Sequence, residues 1–195
     1  GDRLGIPAEP AAWDEDSSEA PPQGVVVRLS NNMCMVSMDS SGALLHRRGY
    51  RLATAKAPLR ETLAAAMLLA SGWNMEAPLL DPFCGSGTIP IEAALLARRI
   101  APGKIRHFAF MDWTSFEADL WTEEHAAAIA AEREAMPLLL ASDRDAGAIR
   151  AAEANAGRAG IAGAITYTCQ AVSAITPPPG PGWVVTNPPY GVRVS

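Results

Sequence analysis

Two adjacent prolines close an apolar run near the end of this chain: Trp183-Val184-Val185-Thr186 is followed at once by Asn187-Pro188-Pro189-Tyr190. The apolar run reads as a buried strand. Neither proline has an N–H for a ladder, so the pair cannot continue a central strand, and the residue before a proline is driven into an extended conformation. The chain therefore leaves its sheet in a stiff turn at the strand's carboxyl end. In open α/β sheets that edge is where ligands bind. The turn offers the Asn187 side-chain carbonyl and the proline carbonyls, a set of acceptors suited to a planar amino group.

A second segment restricts the fold further. Leu79-Leu80-Asp81-Pro82-Phe83-Cys84-Gly85-Ser86-Gly87-Thr88 runs from an apolar strand into a Gly-X-Gly turn, and a helical pattern follows over Ile89–Ala97. Glycines let backbone approach a ligand closely. A helix N-terminus offers unpaired N–H groups and a positive dipole end, which suits a carboxylate. A dinucleotide fingerprint would need a third glycine where Pro90 stands, and a phosphate-binding P-loop would need a lysine that is absent. The candidate ligand-binding residues are Asp81, Phe83, Cys84, Gly85, Ser86, Gly87 and Thr88.

The remaining pattern alternates strands and helices. Leu59–Trp73 reads as a helix with Leu63, Met67, Leu68 and Leu69 on its apolar face, ended by Ser71-Gly72. The helix after the glycine turn is expected to end near Ala101-Pro102-Gly103. Residues 104–136 form an insertion with Phe108, Phe110, Trp113, Phe116 and Trp121, then a helical tract over Glu123–Glu134. Such aromatics can stack bases, but packing onto the core is the commoner use. Pro137–Asp143 reads as the second core strand. An acid at its carboxyl end is placed to hold a ribose hydroxyl pair, so Asp143 is a candidate; its alternative role is N-cap of a helix over 145–159. Ala164–Cys169 is the third strand. This β-α-β-α-β order predicts an α/β fold with a doubly wound parallel sheet. Ahead of it, residues 1–24 read as a flexible arm rich in Pro, Ala, Ser and acids. Val25–Leu29 and Met33–Met38 read as a hairpin around Ser30-Asn31-Asn32.

The formal net charge is −5, which does not advertise nucleic-acid binding. Locally, Arg47, Arg48, Arg51, Lys56 and Arg60 surround Tyr50, which makes Arg47, Arg48, Tyr50 and Arg51 candidate RNA contacts; a solvated linker is the competing reading. Cys34, Cys84 and Cys169 include no Cys-X-X-Cys pair, which argues against a disulfide framework and against zinc and fits a reducing cytoplasm. Each cysteine is expected to be a small buried hydrophobe. No histidine pair has metal-ligand spacing, so no metal site is expected. No apolar run is long enough to span a bilayer.

Asp81-Pro82-Phe83-Cys84-Gly85-Ser86-Gly87-Thr88 and Asn187-Pro188-Pro189-Tyr190-Gly191 resemble motifs I and IV of amino-group methyltransferases that use S-adenosylmethionine. His46-Arg47-Arg48-Gly49-Tyr50-Arg51 with Ala57–Ala65 resembles the linker of THUMP-containing RNA methyltransferases, the bacterial 23S rRNA guanine-N2 enzymes in particular. The resemblance implies a Rossmann-like class I methyltransferase domain over 53–195, incomplete at its C-terminus. It implies that residues 25–52 are the closing hairpin and linker of a THUMP domain. It also implies that further strands, or another chain, cover the exposed sheet edge, and that this piece alone is inactive. S-adenosyl-L-methionine is the expected cofactor and RNA, 23S rRNA above all, the expected partner. Asn187 and Pro188 would accept the hydrogens of an exocyclic guanine amine, with Pro189 shaping the turn and Tyr190 stacking on the base. DNA adenine, tRNA guanine or a protein glutamine amide would be served by the same motif. A methyltransferase-like module that only binds RNA or a partner is the non-enzymatic alternative. One position departs from the family: Cys169-Gln170-Ala171-Val172 has Ala171 where an acid usually bonds the cofactor's adenine, leaving only Gln170 as a substitute acceptor.

Overall fold

The computed structural model describes residues 23–51 and 59–189. Tyr190, Lys56 and most of the N-terminal arm lie outside the described residues. The chain divides into two compact units, one of residues 1–44 with 107–116 and one of residues 45–106 with 117–195.

In the first unit, β1 (Val25–Ser30) pairs antiparallel with β2 (Met33–Met38). Ser30 faces Met33 across a two-residue turn. Asn31 and Asn32 have φ of 49° and 60°, the left-handed pair that the tight hairpin turn requires and that Asn tolerates. The predicted hairpin is present. Residues 107–116 join this unit: the Phe110 N–H donates to the Ser40 carbonyl, the Trp113 indole donates to Gln23 Oε1 at 2.6 Å, and Phe110 packs against Phe108 and Phe116. Four of the five insertion aromatics, expected to pack onto the core, therefore belong to the hairpin's unit. The fifth, Trp121, stacks on His125.

The second unit holds a parallel sheet in the order β5-β4-β3-β6, built from β3 (Leu79–Asp81), β4 (Leu139–Asp143), β5 (Thr166–Cys169) and β6 (Trp183–Val184). Its helices are α1 (Glu61–Ala70), α2 (Thr88–Ala97), α3 (Ala118–Ala130) and α4 (Ala146–Arg158). Leu79, Leu139 and Ala141 form a buried sheet face with Ile91, Ile149 and Ile161. Helix α2 is buried almost all round, which accounts for its nearly unbroken apolar sequence. Among the described residues no helix is long and apolar enough to cross a membrane.

Several local expectations need correction. Helix α1 buries Glu61, Ala64 and Leu68, while Leu63 and Leu69 are 52% and 59% exposed; the true inward stripe follows i, i+3, i+7 through a charged residue. Helix α2 stops at Ala97, with Arg98 as its C-cap and Arg99 at a φ of 54°, before the Pro-Gly signal. Helix α3 starts at Ala118, not Glu123. Strand β6 is short, and its Val184 is 64% exposed, so it is not buried on both faces. Cys34 and Cys169 are exposed; only Cys84 is buried.

Candidate functional site

Strand β3 delivers the chain into the glycine elbow. The Gly87 N–H donates to the Cys84 carbonyl at 2.8 Å, closing the turn. Gly85 and Gly87 have φ of 51° and 85°, a region that costs other residues roughly 1–2 kcal/mol. A Cβ on Gly87 would lie 2.9 Å from that of Ala152, whereas one on Gly85 would meet open space. One glycine is thus needed for packing against α4. The other leaves backbone bare on the open side.

The tip of β4 grips the same elbow. The Cys84 N–H donates to the Ser142 carbonyl at 2.9 Å, and the Gly85 N–H donates to Asp143 Oδ2 at 3.0 Å. Asp143 Oδ1 accepts from the Asp145 N–H. The N-cap of α4 is Asp145, whose Oδ1 accepts from the Gly147 N–H at 2.7 Å, so the capping alternative for Asp143 is replaced by a bond to the elbow. A carboxylate has about four lone-pair sites, so two backbone bonds leave Asp143 able to accept hydroxyls.

Asp81 is 1% exposed and stands below the elbow rather than on a cavity wall. Its Oδ1 accepts from the Thr186 hydroxyl at 2.7 Å and the Phe83 N–H at 3.2 Å. Burial pushes this carboxyl up to about 6; the two hydrogen bonds pull it down, and the nearby Asp143 charge adds to the rise. Burial therefore outweighs both bonds.

Strands β3 and β6 are parallel neighbours, and the Val185 N–H donates to the Leu80 carbonyl at 3.1 Å. The two elbows therefore leave the sheet side by side. A cavity of about 520 Å³ opens between them. Pro82 and Phe83 line it from the first elbow, and Asn187, Pro188 and Pro189 from the second. Asp143 at the end of β4 with Arg144 just after it, and Gln170, Ala171 and Val172 after β5, complete the wall. Cys84, Gly85, Ser86, Gly87 and Thr88 are not on that wall. Cys84 is buried, and burial pushes its thiol far up, which disfavours a thiolate at neutral pH. Among the described residues Asn187 has no hydrogen-bond partner for its side chain and is exposed.

Arg48 and Arg51 of the basic stretch are committed to internal partners. Arg48 pairs with buried Glu92 at 3.1 Å, and Tyr50, 1% exposed, donates its hydroxyl to Glu92 Oε1 at 3.0 Å. Arg51 pairs with buried Glu61 at 2.7 Å and also donates to the Leu59 carbonyl. Arg47 is half-buried, and its carbonyl accepts from Arg106. Two carboxylates placed on inward helix faces need cations, and the linker supplies them. Arg48, Tyr50 and Arg51 are thus internal groups, not the RNA contacts expected of them.

Sequence reasoning missed Thr186 as the brace on Asp81, Arg144 on the cavity wall, and Asn155, whose side-chain amide donates to the Ser86 carbonyl at 2.9 Å. Asn155 had a signal: it interrupts the buried stripe Ile149, Ala152, Ala156 on α4.

The profile described as "RMKL-like, methyltransferase domain" matches residues 48–195, which contain both elbows. The chain belongs to this methyltransferase family. A Synechocystis protein named "Putative RNA methyltransferase" is 43% identical over 179 residues, covering 91% of this chain and 47% of its own length. A solved structure of a "predicted N6-adenine-specific DNA methylase" from Listeria monocytogenes superposes with a TM-score of 0.82 at 39% identity, over 90% of this chain and 47% of that one. A structure of a "putative methyltransferase complexed with SAH" superposes with a TM-score of 0.80 at 32% identity, over 90% of this chain and 46% of that one. The chain spans about half the length of the curated relative and of the solved neighbours it matches. This RMKL-like domain therefore has the α/β methyltransferase architecture, with the parallel sheet carrying both elbows on one edge.

Proposed function

We propose that this protein takes part in transferring a methyl group from S-adenosylmethionine to the exocyclic N2 amine of a guanine in RNA, with 23S rRNA as the substrate. The observation that carries the reading is the shared cavity: Phe83 and Asp143 on one side and Asn187, Pro188 and Pro189 on the other enclose about 520 Å³. That volume lies in the range of small-molecule sites.

The residues present fit the cofactor. Gly85 offers bare backbone to open space, Asp143 keeps lone pairs for ribose hydroxyls, and Gln170 stands beside Ala171, where a usual adenine partner is missing. Bound there, S-adenosylmethionine would supply an electrophilic methyl on a sulfonium. The chain's own part is positioning. An exocyclic amine has its lone pair spread into the base ring. Acceptance of its hydrogens by Asn187 Oδ1 and the Pro188 carbonyl favours a pyramidal nitrogen and frees that lone pair. Tyr190 is assigned to stack on the base, an interaction worth about 1–3 kcal/mol. The methylated nitrogen would be cationic and acidic and would release one proton to solvent, so no strong general base is required.

Two wider parts of the reading rest on exposed apolar surface. Every residue of β1 and β2 is exposed, including Leu29 at 79% and Met33 at 72%, which supports the assignment of this hairpin to a larger THUMP-like domain. Leu80, Leu140 and Val184 share the sheet face opposite the buried one, by register, and are only partly covered. That supports further chain, or another subunit, on that side. The absence of a Cys-X-X-Cys pair and the proposed RNA substrate both support a cytoplasmic location for the activity.

The test is calorimetry with S-adenosylhomocysteine, followed by mass spectrometry of rRNA from a strain lacking the gene. Binding heat and a missing methyl on a 23S guanine N2 are expected. Unchanged rRNA removes the RNA assignment and turns attention to DNA adenine, which the Listeria neighbour's description favours. Absence of binding heat favours a module that only binds RNA or a partner.

A further inference from the structure

We infer that Asn155 is a positioning residue for the cofactor elbow, acting through the Ser86 carbonyl; this rests on the reading of the glycine elbow as the cofactor site. Asn155 is 3% exposed and lies on the sheet-facing stripe of α4. Its Nδ2 donates to the Ser86 carbonyl at 2.9 Å. Its Oδ1 accepts from Arg158 Nη2, and Arg158 Nε donates to the Tyr50 carbonyl at 2.7 Å. Arg158 has only donors, so it dictates the amide orientation: the oxygen must face Arg158 and the nitrogen must face Ser86.

The consequence lies in one peptide plane. The Ser86 carbonyl and the Gly87 N–H belong to the same peptide and point in opposite directions. Asn155 holds the carbonyl, and the Cys84 carbonyl holds the N–H at 2.8 Å. Pinned at both ends, the plane cannot turn over. Were it to turn, the Ser86 carbonyl would face the Cys84 carbonyl, and the turn that opens α2 would lose its closing bond. That helix has no side-chain cap, and its free N–H groups are the feature suited to a carboxylate. Asn155 thus holds the elbow's shape without touching a ligand.

The Arg158 link makes the strut testable apart from stability. Asn155→Asp keeps an oxygen for Arg158 and replaces the donor to Ser86 with a second acceptor oxygen. The expected result in the 195-residue chain is a faster hydrogen–deuterium exchange of the Gly87 amide in the unliganded protein, with Leu80 and Ala141 amides unchanged. Together with this, S-adenosylhomocysteine affinity by calorimetry falls about tenfold under conditions where urea titration shows both proteins to be fully folded. If Asn155→Asp does not fold, Asn155→Ser, too short to reach Ser86, replaces it with the same expectations. Unchanged elbow exchange overturns the inference whatever the affinity does, and so does unchanged affinity in a variant whose parent binds. If the parent chain binds no S-adenosylhomocysteine while the variant still loosens the elbow, the strut stands and the cofactor reading falls.

Discussion

Thr186 donates its hydroxyl hydrogen to Asp81 Oδ1 at 2.7 Å, tying the tip of β6 to the tip of β3 across 105 residues of sequence. This bond sets the spacing between the Asn187 turn and the Phe83 turn, which face each other across the cavity. A hydrogen bond to a charged group contributes about 1.5–3 kcal/mol. Thr186→Val keeps the shape and deletes the donor, so it should lower unfolding free energy at pH 8 by roughly that amount. Urea titration reads the loss. A midpoint equal to the parent's would show that the bond does not hold the two strand tips together.

Asp81 gives the protein a pH signature. Burial raises its carboxyl from 3.8 to about 6, so the folded state holds this proton more tightly than the unfolded chain does. The associated stability is fully present below 3.8 and is lost as pH rises through about 6. At about 1.36 kcal/mol per unit, the loss amounts to about 3 kcal/mol. Asp81→Asn keeps an Oδ1 acceptor for Thr186 and Phe83 but does not titrate. Relative to the parent, the variant should therefore gain stability steadily between pH 4 and pH 7, as chemical unfolding at each pH would measure. Parallel curves for the two proteins would mean that Asp81 titrates normally.

The Arg48–Glu92–Tyr50 cluster should be intolerant of partial removal. Burial raises the Glu92 carboxyl even with Arg48 and Tyr50 bonding it. Arg48→Ala leaves that carboxylate buried without its cation, a change that costs about 3–5 kcal/mol. Replacing all three, with Arg48→Met, Glu92→Leu and Tyr50→Phe, should cost much less. Equal losses in the single and triple variants, read from urea midpoints, would count against the buried polar cluster as the reason.

These clusters also show where sequence reasoning succeeds and where it stops. The two elbows were legible because Pro-Pro and Gly-X-Gly dictate backbone geometry locally, whatever surrounds them. The parallel α/β sheet followed from the alternation of apolar runs with helical patterns, whereas its strand order, β5-β4-β3-β6, had no local signal. The basic linker misled because charge in sequence carries no information on pairing: Glu61 and Glu92 sit on inward faces, and only the folded helices bring Arg51 and Arg48 to them. The insertion aromatics misled for a similar reason, since residues 107–116 fold with the hairpin some seventy residues upstream. The Thr186–Asp81 and Asn155–Ser86 bonds join residues far apart in the chain, and no local pattern announces them.

The two glycines of the elbow make separable predictions. Gly87→Ala meets both penalties at once: a φ of 85° and a Cβ placed 2.9 Å from Ala152. The left-handed conformation costs roughly 1–2 kcal/mol, and overpacking typically adds about 1–3 kcal/mol, so this variant should be clearly destabilised in urea. Gly85→Ala has a φ of 51° and nothing within 4 Å of the new methyl, so only the conformational cost applies. That methyl points into the open space beside the elbow, where a ligand would approach the backbone. Gly85→Ala should therefore fold with a modest loss of stability and yet bind S-adenosylhomocysteine much more weakly than the parent, by calorimetry. If Gly85→Ala binds as the parent does while Gly87→Ala unfolds as described, the elbow's open side does not meet the cofactor, and the ligand must approach from the Pro82–Phe83 side alone.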